Sequence, residues 1–306
     1  AMLIGDSSRL EKVWIEDFRR TGTYHTLVIS GLHITVLAGV FLFLMRVCFV
    51  PQSLALTATA LVAWLYALVA GWQAPVIRAA AGLSLFVAVR YLYRRPRLLN
   101  LLAAVALGFL ICDPEQLFEA SFQLSFLAVA AIGALAVPLI ERTSAPLAAG
   151  LTGLNDPGRD PRLAPRTAHF RVELRLIAET LSLWTRVPER VWLALIGLFL
   201  RALFFAYETA VVSTTIQFGL ALPMAAYFHR LSLTGISANI LIMLPMSAVI
   251  PVGFLAIFTG WKLPAVVAGW LLGFSHRVVH LHTQWEPHWR IPAPPLWLAL
   301  ALTASL

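Results

Sequence analysis

Long, almost charge-free apolar stretches recur along this chain, and they decide which solvent it folds in. Of the 306 residues, 59% are hydrophobic and only 12% charged, where a soluble domain of this size carries roughly a quarter charged residues. A bilayer core about 30 Å thick takes about 20 apolar residues per helix, and only helices and closed barrels satisfy their backbone groups in lipid. The apolar runs are continuous rather than alternating, so the sequence predicts an all-α fold: a polytopic transmembrane helical bundle with broken helices and interfacial amphipathic helices.

The pattern divides the chain into four parts. Residues 1–26 read as an interfacial amphipathic segment, with Leu10, Val13, Trp14 and Phe18 at helical spacing among charges. Residues 27–140 form a first transmembrane bundle with spans near 27–49, 53–70, 75–93, 98–112 and 121–140. Residues 141–206 are a basic, Pro- and Gly-rich loop, mobile in its first half, that turns into an interfacial helix from about 171. Residues 207–306 form a second bundle with spans near 207–228, 236–260 and 263–284, then an apolar run from 296 that is too short to cross. That run leads us to expect further sequence beyond it.

The net charge is +8, and the cations are nearly all arginine, with only Lys12 and Lys262 as lysine. Arginine suits an anionic, phosphate-bearing partner, although positive-inside loops explain the same bias. Applied to loops, that rule puts 91–97 and 141–190 in the cytoplasm and the acidic 113–119 outside. Extrapolation then places the N-terminal helix outside, where Arg19 and Arg20 run against the rule.

Polar groups inside lipid are costly and are functional suspects. The first span carries His25, Ser30, Gly31, His33 and Thr35, which fit either close helix packing or a polar lining. Arg78 lies near the start of the third span, where it either snorkels to headgroups or meets a substrate. Gln123 and Ser125 lie just inside the acidic loop, Gln217 lies mid-span, and Asn239 opens a span that contains Pro245 and Pro251. Two prolines in one span predict a broken helix with freed carbonyls.

Several chemistries lack their signatures. Cys48 and Cys112 have neither disulfide-framework nor metal-ligand spacing. His276, His280 and His282 cluster near the end, but without HExxH, and they read as solvated or interfacial histidines. Ser30–Gly31 lacks the GxSxG elbow of a serine hydrolase, and there is no GxxxxGK[ST] loop for nucleotides. We expect no cofactor, no metal and no catalytic residue.

Residues 19–39, RRTGTYHTLVISGLHITVLAG, resemble the signature of the ComEC competence family, the DNA-uptake channel of bacteria. APVIRAA (74–80), DPEQLFEASFQLSFLAV (113–129), LPMAAYFHRLSLTGISANILIMLP (222–245) and PAPPLW (292–297) resemble further elements in the family's order. Tyr24 stands where the family usually has Ser, and Ala120 where it has Gly. The resemblance implies a channel passing single-stranded DNA across the inner membrane during transformation. Its partners would be that strand, membrane lipids, a cytoplasmic motor ATPase or helicase, and DNA-delivery proteins on the outer side. A nuclease activity would belong to a domain following this region.

Moving each phosphate against an interior-negative potential costs about 2.3 kcal/mol per 100 mV, so import needs that motor. On this reading Ser30, His33, Arg78, Gln123, Ser125 and Asn239 line the path, supported by His25, Gly31, Pro245 and Pro251. The alternatives are a small-solute transporter with broken helices, for which the spans show no clear inverted repeat, and an intramembrane serine hydrolase using Ser30.

Overall fold

A computed structural model describes residues 12–232, 234–287 and 292, and these are helical with no strand. The proline-rich motif at 292–297, the short run from 296 and Leu10 of the amphipathic pattern lie outside the described residues, apart from Pro292 itself. The helices are α1 (Lys12–Arg20), α2 (Gly31–Val47), α3 (Gln52–Val69), α4 (Ala74–Tyr91), α5 (Leu98–Cys112), α6 (Ala120–Ala131), α7 (Val137–Arg142), α8 (Ala145–Gly150), α9 (Pro165–Thr185), α10 (Glu189–Pro223), α11 (Gly235–Thr259) and α12 (Lys262–Thr283). Two compact units result: one holds the chain up to Ala131 and from Ile216 onward, the other Ile132–Thr215.

Among the described residues, five helical stretches are long and apolar enough to cross a membrane: Gln52–Val69, Ala74–Tyr91, Ala120–Arg142, Glu189–Phe228 and Gly235–Thr259. Gly31–Val47 and Leu98–Cys112 are shorter apolar helices. Their outer faces leave Phe43, Leu61, Leu65, Leu107, Leu244 and Phe258 largely exposed, as helices in lipid require. α12 stands where a span is expected, but His276, Arg277, His280 and His282 make its second half polar.

In the larger unit, α2, α3 and α4 pack through Ile29, Ile34, Ala63, Tyr66, Ala67, Ala70, Val76 and Ala80. The alanines let the backbones approach closely, which is how helices associate without a hydrophobic drive between them. Trp64 donates its indole N–H to Ser84 Oγ at 2.9 Å across α3 and α4. A second core joins α1, α11 and α12 through Phe18, Leu27, Ile242, Met246, Val249 and Val279. The apolar side of amphipathic α1 is therefore seated on protein at Phe18, which is fully buried.

The prolines do not act as the sequence suggests. α11 runs unbroken from Gly235 to Thr259 through Pro245 and Pro251. Each proline removes one backbone N–H, but Ile242, Met246, Val249 and Ile250 are buried around them and hold the helix in place. The irregular geometry lies elsewhere, in π-helical stretches at Ile132–Ala136 and Met224–Phe228. Each adjoins a proline, Pro138 and Pro223, whose missing N–H loosens the local ladder.

The smaller unit replaces an expected loop with structure. The helix expected from about 171 begins at Pro165, where proline suits a first turn. It ends at Arg186, which takes a left-handed conformation (φ 58°) just before Pro188. From Glu189 the chain is continuously helical to Phe228, without the break expected near residue 206. At 1.5 Å per residue this stretch is about 60 Å long, twice a bilayer core. Leu151, Leu154, Leu174, Ala178 and Leu193 form the unit's own core.

Arg171 organises the segment before α9. Its side chain is fully buried, and all five of its N–H groups have acceptors. Nε donates to Asp160 Oδ1 at 2.6 Å, Nη1 to the Gly150 and Thr152 carbonyls, and Nη2 to the Gly153 and Asp156 carbonyls. Asp160 also receives Arg175, whose Nη2 bonds its Oδ2. The basic segment thus turns two of its arginines inward to fold itself, and they are unavailable to an outside anion.

Candidate anion path at the helix N-termini

Four of the path candidates pair up near the starts of α2, α4 and α6: Ser30 with His33, and Arg78 with Ser125. Ser30 is the N-cap of α2, in an extended conformation. Its backbone N–H donates to His33 Nδ1 at 3.3 Å, and its Oγ lies 3.4 Å from the same nitrogen. His33 occupies the third helical position and so closes a capping box from within. With Nδ1 accepting, the proton sits on Nε2, and that buried atom has no hydrogen-bond partner. His33 is fully buried.

This geometry also bears on the hydrolase reading. A base that activates Ser30 would need its nitrogen free for Oγ and its other nitrogen oriented by a carboxylate. Here a backbone N–H occupies Nδ1 and Nε2 has no partner, so the pair serves as a helix cap.

Arg78 is on the second turn of α4, only 6% exposed. Its Nη2 donates to the Ser121 carbonyl at 3.0 Å, to Ser121 Oγ at 2.9 Å and to Ser125 Oγ at 2.9 Å. Ser125 Oγ in turn donates to the Ser121 carbonyl at 2.8 Å. Nε of Arg78 is buried without a partner. Among the described residues no carboxylate pairs with Arg78 within 4.0 Å, although Glu119 is near enough to act on it through space. A guanidinium held by neutral oxygens keeps both its charge and part of its fork for another acceptor.

The α2 cap and Arg78 are neighbours. A side chain at Gly31 would meet Ala79 Cβ at 3.6 Å, so the first turn of α2 lies against the residue following Arg78. Helices α2, α4 and α6 alternate with α3 and α5, and their positive ends carry Ser30, Arg78 and Ser121–Ser125.

Gln123 and Asn239 stand in other surroundings. Gln123 donates to the Leu117 carbonyl at 2.9 Å and accepts from the Tyr227 hydroxyl at 3.0 Å, which ties α6 to the π-helical end of the long helix. Asn239 is half-buried on the second turn of α11. His25 lies in a short 3-10 turn (Tyr24–Thr26) before α2, with its Nδ1 3.3 Å from the Gly22 carbonyl. Pro245 and Pro251 contribute no break.

The sequence did not point to three further groupings. Ser121 is the main partner of Arg78, yet a serine at a helix start looks ordinary. Thr21, Thr23 and Thr26 are buried beside a turn in which Thr234 N–H donates to Glu286 Oε2 at 2.9 Å and Ser232 Oγ donates to the same oxygen at 3.2 Å. Gln217 reaches the Ser232 carbonyl in the same cluster. Finally, Asp17 of α1 meets His276 and His280 of α12.

These features define a class: a multi-pass α-helical membrane protein whose bundle buries a cation and a helix cap at one end. The chain belongs to the competence protein family, whose model matches residues 2–306. It is 30% identical over 127 residues to ComE operon protein 3 of Bacillus subtilis, covering 41% of this chain and 16% of that protein. It is also 30% identical over 132 residues to Recombination protein 2 of Haemophilus influenzae, covering 41% of this chain and 17% of that protein. The matched stretch is thus about a sixth of each relative's length. No solved structure matches the chain.

Proposed function

We propose that this chain takes part in DNA uptake during natural transformation, and that its helices line a route for a single strand across the bacterial inner membrane. Family membership supports the process, and Arg78 supports the route. A buried guanidinium with an unpartnered Nε and, among the described residues, no carboxylate within 4.0 Å is the observation that carries the reading. Burial of such a charge is costly unless something anionic visits it.

The chemistry suits any sequence. A helix N-terminus and a guanidinium both bind phosphate oxygens and ignore the bases, as a general importer needs. On this proposal 113–119 faces outward while 91–97 and 141–190 face the cytoplasm. The N-terminal ends of α2, α4 and α6 then lie at the outer side, where an incoming strand arrives from delivery proteins. A cytoplasmic motor ATPase or helicase supplies the pull, and lipids surround the exposed helix faces. This region carries no catalysis of its own. Any nuclease step belongs to another domain.

The test is uptake of end-labelled duplex DNA in cells lacking the native gene and complemented with the whole gene. Full complementation by the unaltered gene, with labelled single strand reaching the cytoplasm, is expected. Arg78→Ala is expected to bind cell-surface DNA normally but to deliver little label inside. Normal delivery by stably inserted Arg78→Ala would remove Arg78 from the route.

A further inference from the structure

We propose that Asp17, His276 and His280 form a binding site for a divalent transition-metal ion of the zinc class, which fastens α1 to α12. This is independent of the route for DNA. Asp17 Oδ2 lies 3.2 Å from His276 Nε2 and 3.0 Å from His280 Nδ1. All three candidate ligand atoms fall within 4.8 Å of one another. Tetrahedral zinc with bonds of about 2.0–2.2 Å sets its ligand atoms about 3.3 Å apart, so a small opening of the cluster seats the ion.

Several features favour a metal over hydrogen bonding alone. His276 and His280 share one face of α12 at i, i+4, the spacing that presents two imidazoles to one ion. One of the two rings is held in place: Trp14 stacks on His276 with centroids 4.1 Å apart and planes 10° apart, while His280 is exposed. Asp17 is a carboxylate only 7% exposed. Among the described residues neither Lys nor Arg pairs with it, and both imidazoles aim at one of its oxygens. A buried carboxylate flanked by two imidazole nitrogens is a donor set that a cation can occupy.

The donor set selects the metal. Two nitrogens and one oxygen suit zinc, cobalt or nickel, whereas calcium and magnesium take oxygen ligands. The sites are 259 residues apart in sequence, so the ion closes the bundle by joining its first described helix to its last.

The experiment uses the full chain purified in detergent, stripped with chelator and titrated with Co2+ and Zn2+ separately. One Co2+ per chain is expected, with the intense visible bands of a tetrahedral nitrogen–oxygen site and displacement by Zn2+. His276→Gln and His280→Gln should each abolish those bands. His282→Gln, on the same helix but bonded to the Val278 carbonyl, should leave them unchanged. An unaltered chain that binds no Co2+, or shows only an octahedral or thiolate spectrum from Cys48 or Cys112, overturns the proposal. So does a tetrahedral spectrum that survives in both histidine variants. Should the variants aggregate, the unaltered protein's spectrum and stoichiometry decide alone.

Discussion

Arg78 on α4 and Ser125 on α6 meet at 2.9 Å, and the contact holds a buried guanidinium with oxygens that carry no charge. Most buried cations sit opposite a carboxylate, which cancels their field. Glu119 acts on Arg78 only through space, with no contact within 4.0 Å among the described residues, and the first turn of α2 presents its positive end nearby.

Charge and shape at Arg78 can be separated. Arg78→Lys keeps the charge and a point donor that can replace the Nη2 contacts to Ser121 and Ser125, but it loses the planar fork with its unpartnered Nε. Loss of a charge-assisted hydrogen bond costs about 1.5–3 kcal/mol, or roughly tenfold to a hundredfold in an equilibrium. Transformation by Arg78→Lys should therefore fall between that of the unaltered protein and Arg78→Ala, at equal membrane abundance by immunoblot. Equal loss in the two variants would show that the fork rather than the charge matters.

Arg171 predicts a stability defect confined to the smaller unit. Its removal leaves four carbonyls and Asp160 without their buried donor. Leaving buried acceptors without a donor costs about 1–3 kcal/mol. Arg171→Ala should expose residues 150–164 to limited proteolysis while the larger unit stays protected, and Arg171→Lys should rescue little. Mass mapping of the fragments reads the result.

The same cluster makes that segment acid-sensitive. Hydrogen bonds from Arg175 and then Arg171 hold the Asp160 carboxyl below its usual value of 3.8. A carboxyl depressed in the folded state adds stability that is complete above the unfolded value. The contribution is lost as pH falls past that value and through the folded one. Proteolytic protection of 150–164 should thus be flat at neutral pH and decline in acid below about pH 4. Asp160→Asn should lower protection at neutral pH and flatten the acid decline.

Gly235 tests the threonine-rich turn before α2. A Cβ there would stand 2.8 Å from the Thr21 carbonyl and 3.1 Å from Ser232 Oγ. The first is backbone and cannot swing away, so Gly235→Ala must push the 21–26 turn from α11. Overpacking of this kind costs about 1–3 kcal/mol. A lower Tm for the purified protein is expected, together with weaker attachment of α1.

How much of this was readable in the sequence depends on the range of the interaction. The helices at Gln52–Val69 and Leu98–Cys112 follow from local apolar runs, and lipid admits few other structures. Pro245 and Pro251 misled because a proline reports a lost hydrogen bond locally, whereas burial of Met246 and Ile250 keeps the helix intact. Arg171 looks like any other arginine of its segment. Only the fold reveals that its five donors are spent inside. Arg78 stood out as a charge in an apolar run, but Ser121 did not stand out as its partner. His276 and His280 stood out as a cluster, but no local pattern joins them to Asp17 at the other end of the chain.

The account turns on whether a strand in transit passes the α2 cap and Arg78. Single cysteines at Ser30 and Ser125, in a chain with Cys48→Ser and Cys112→Ser, can be trapped by disulfide exchange with thiol-tethered DNA stalled during uptake. The account predicts DNA adducts at Ser30→Cys and Ser125→Cys, and none at Leu107→Cys on the exposed face of α5. Adducts absent from Ser30→Cys and Ser125→Cys, in cells that still import the strand, would contradict it.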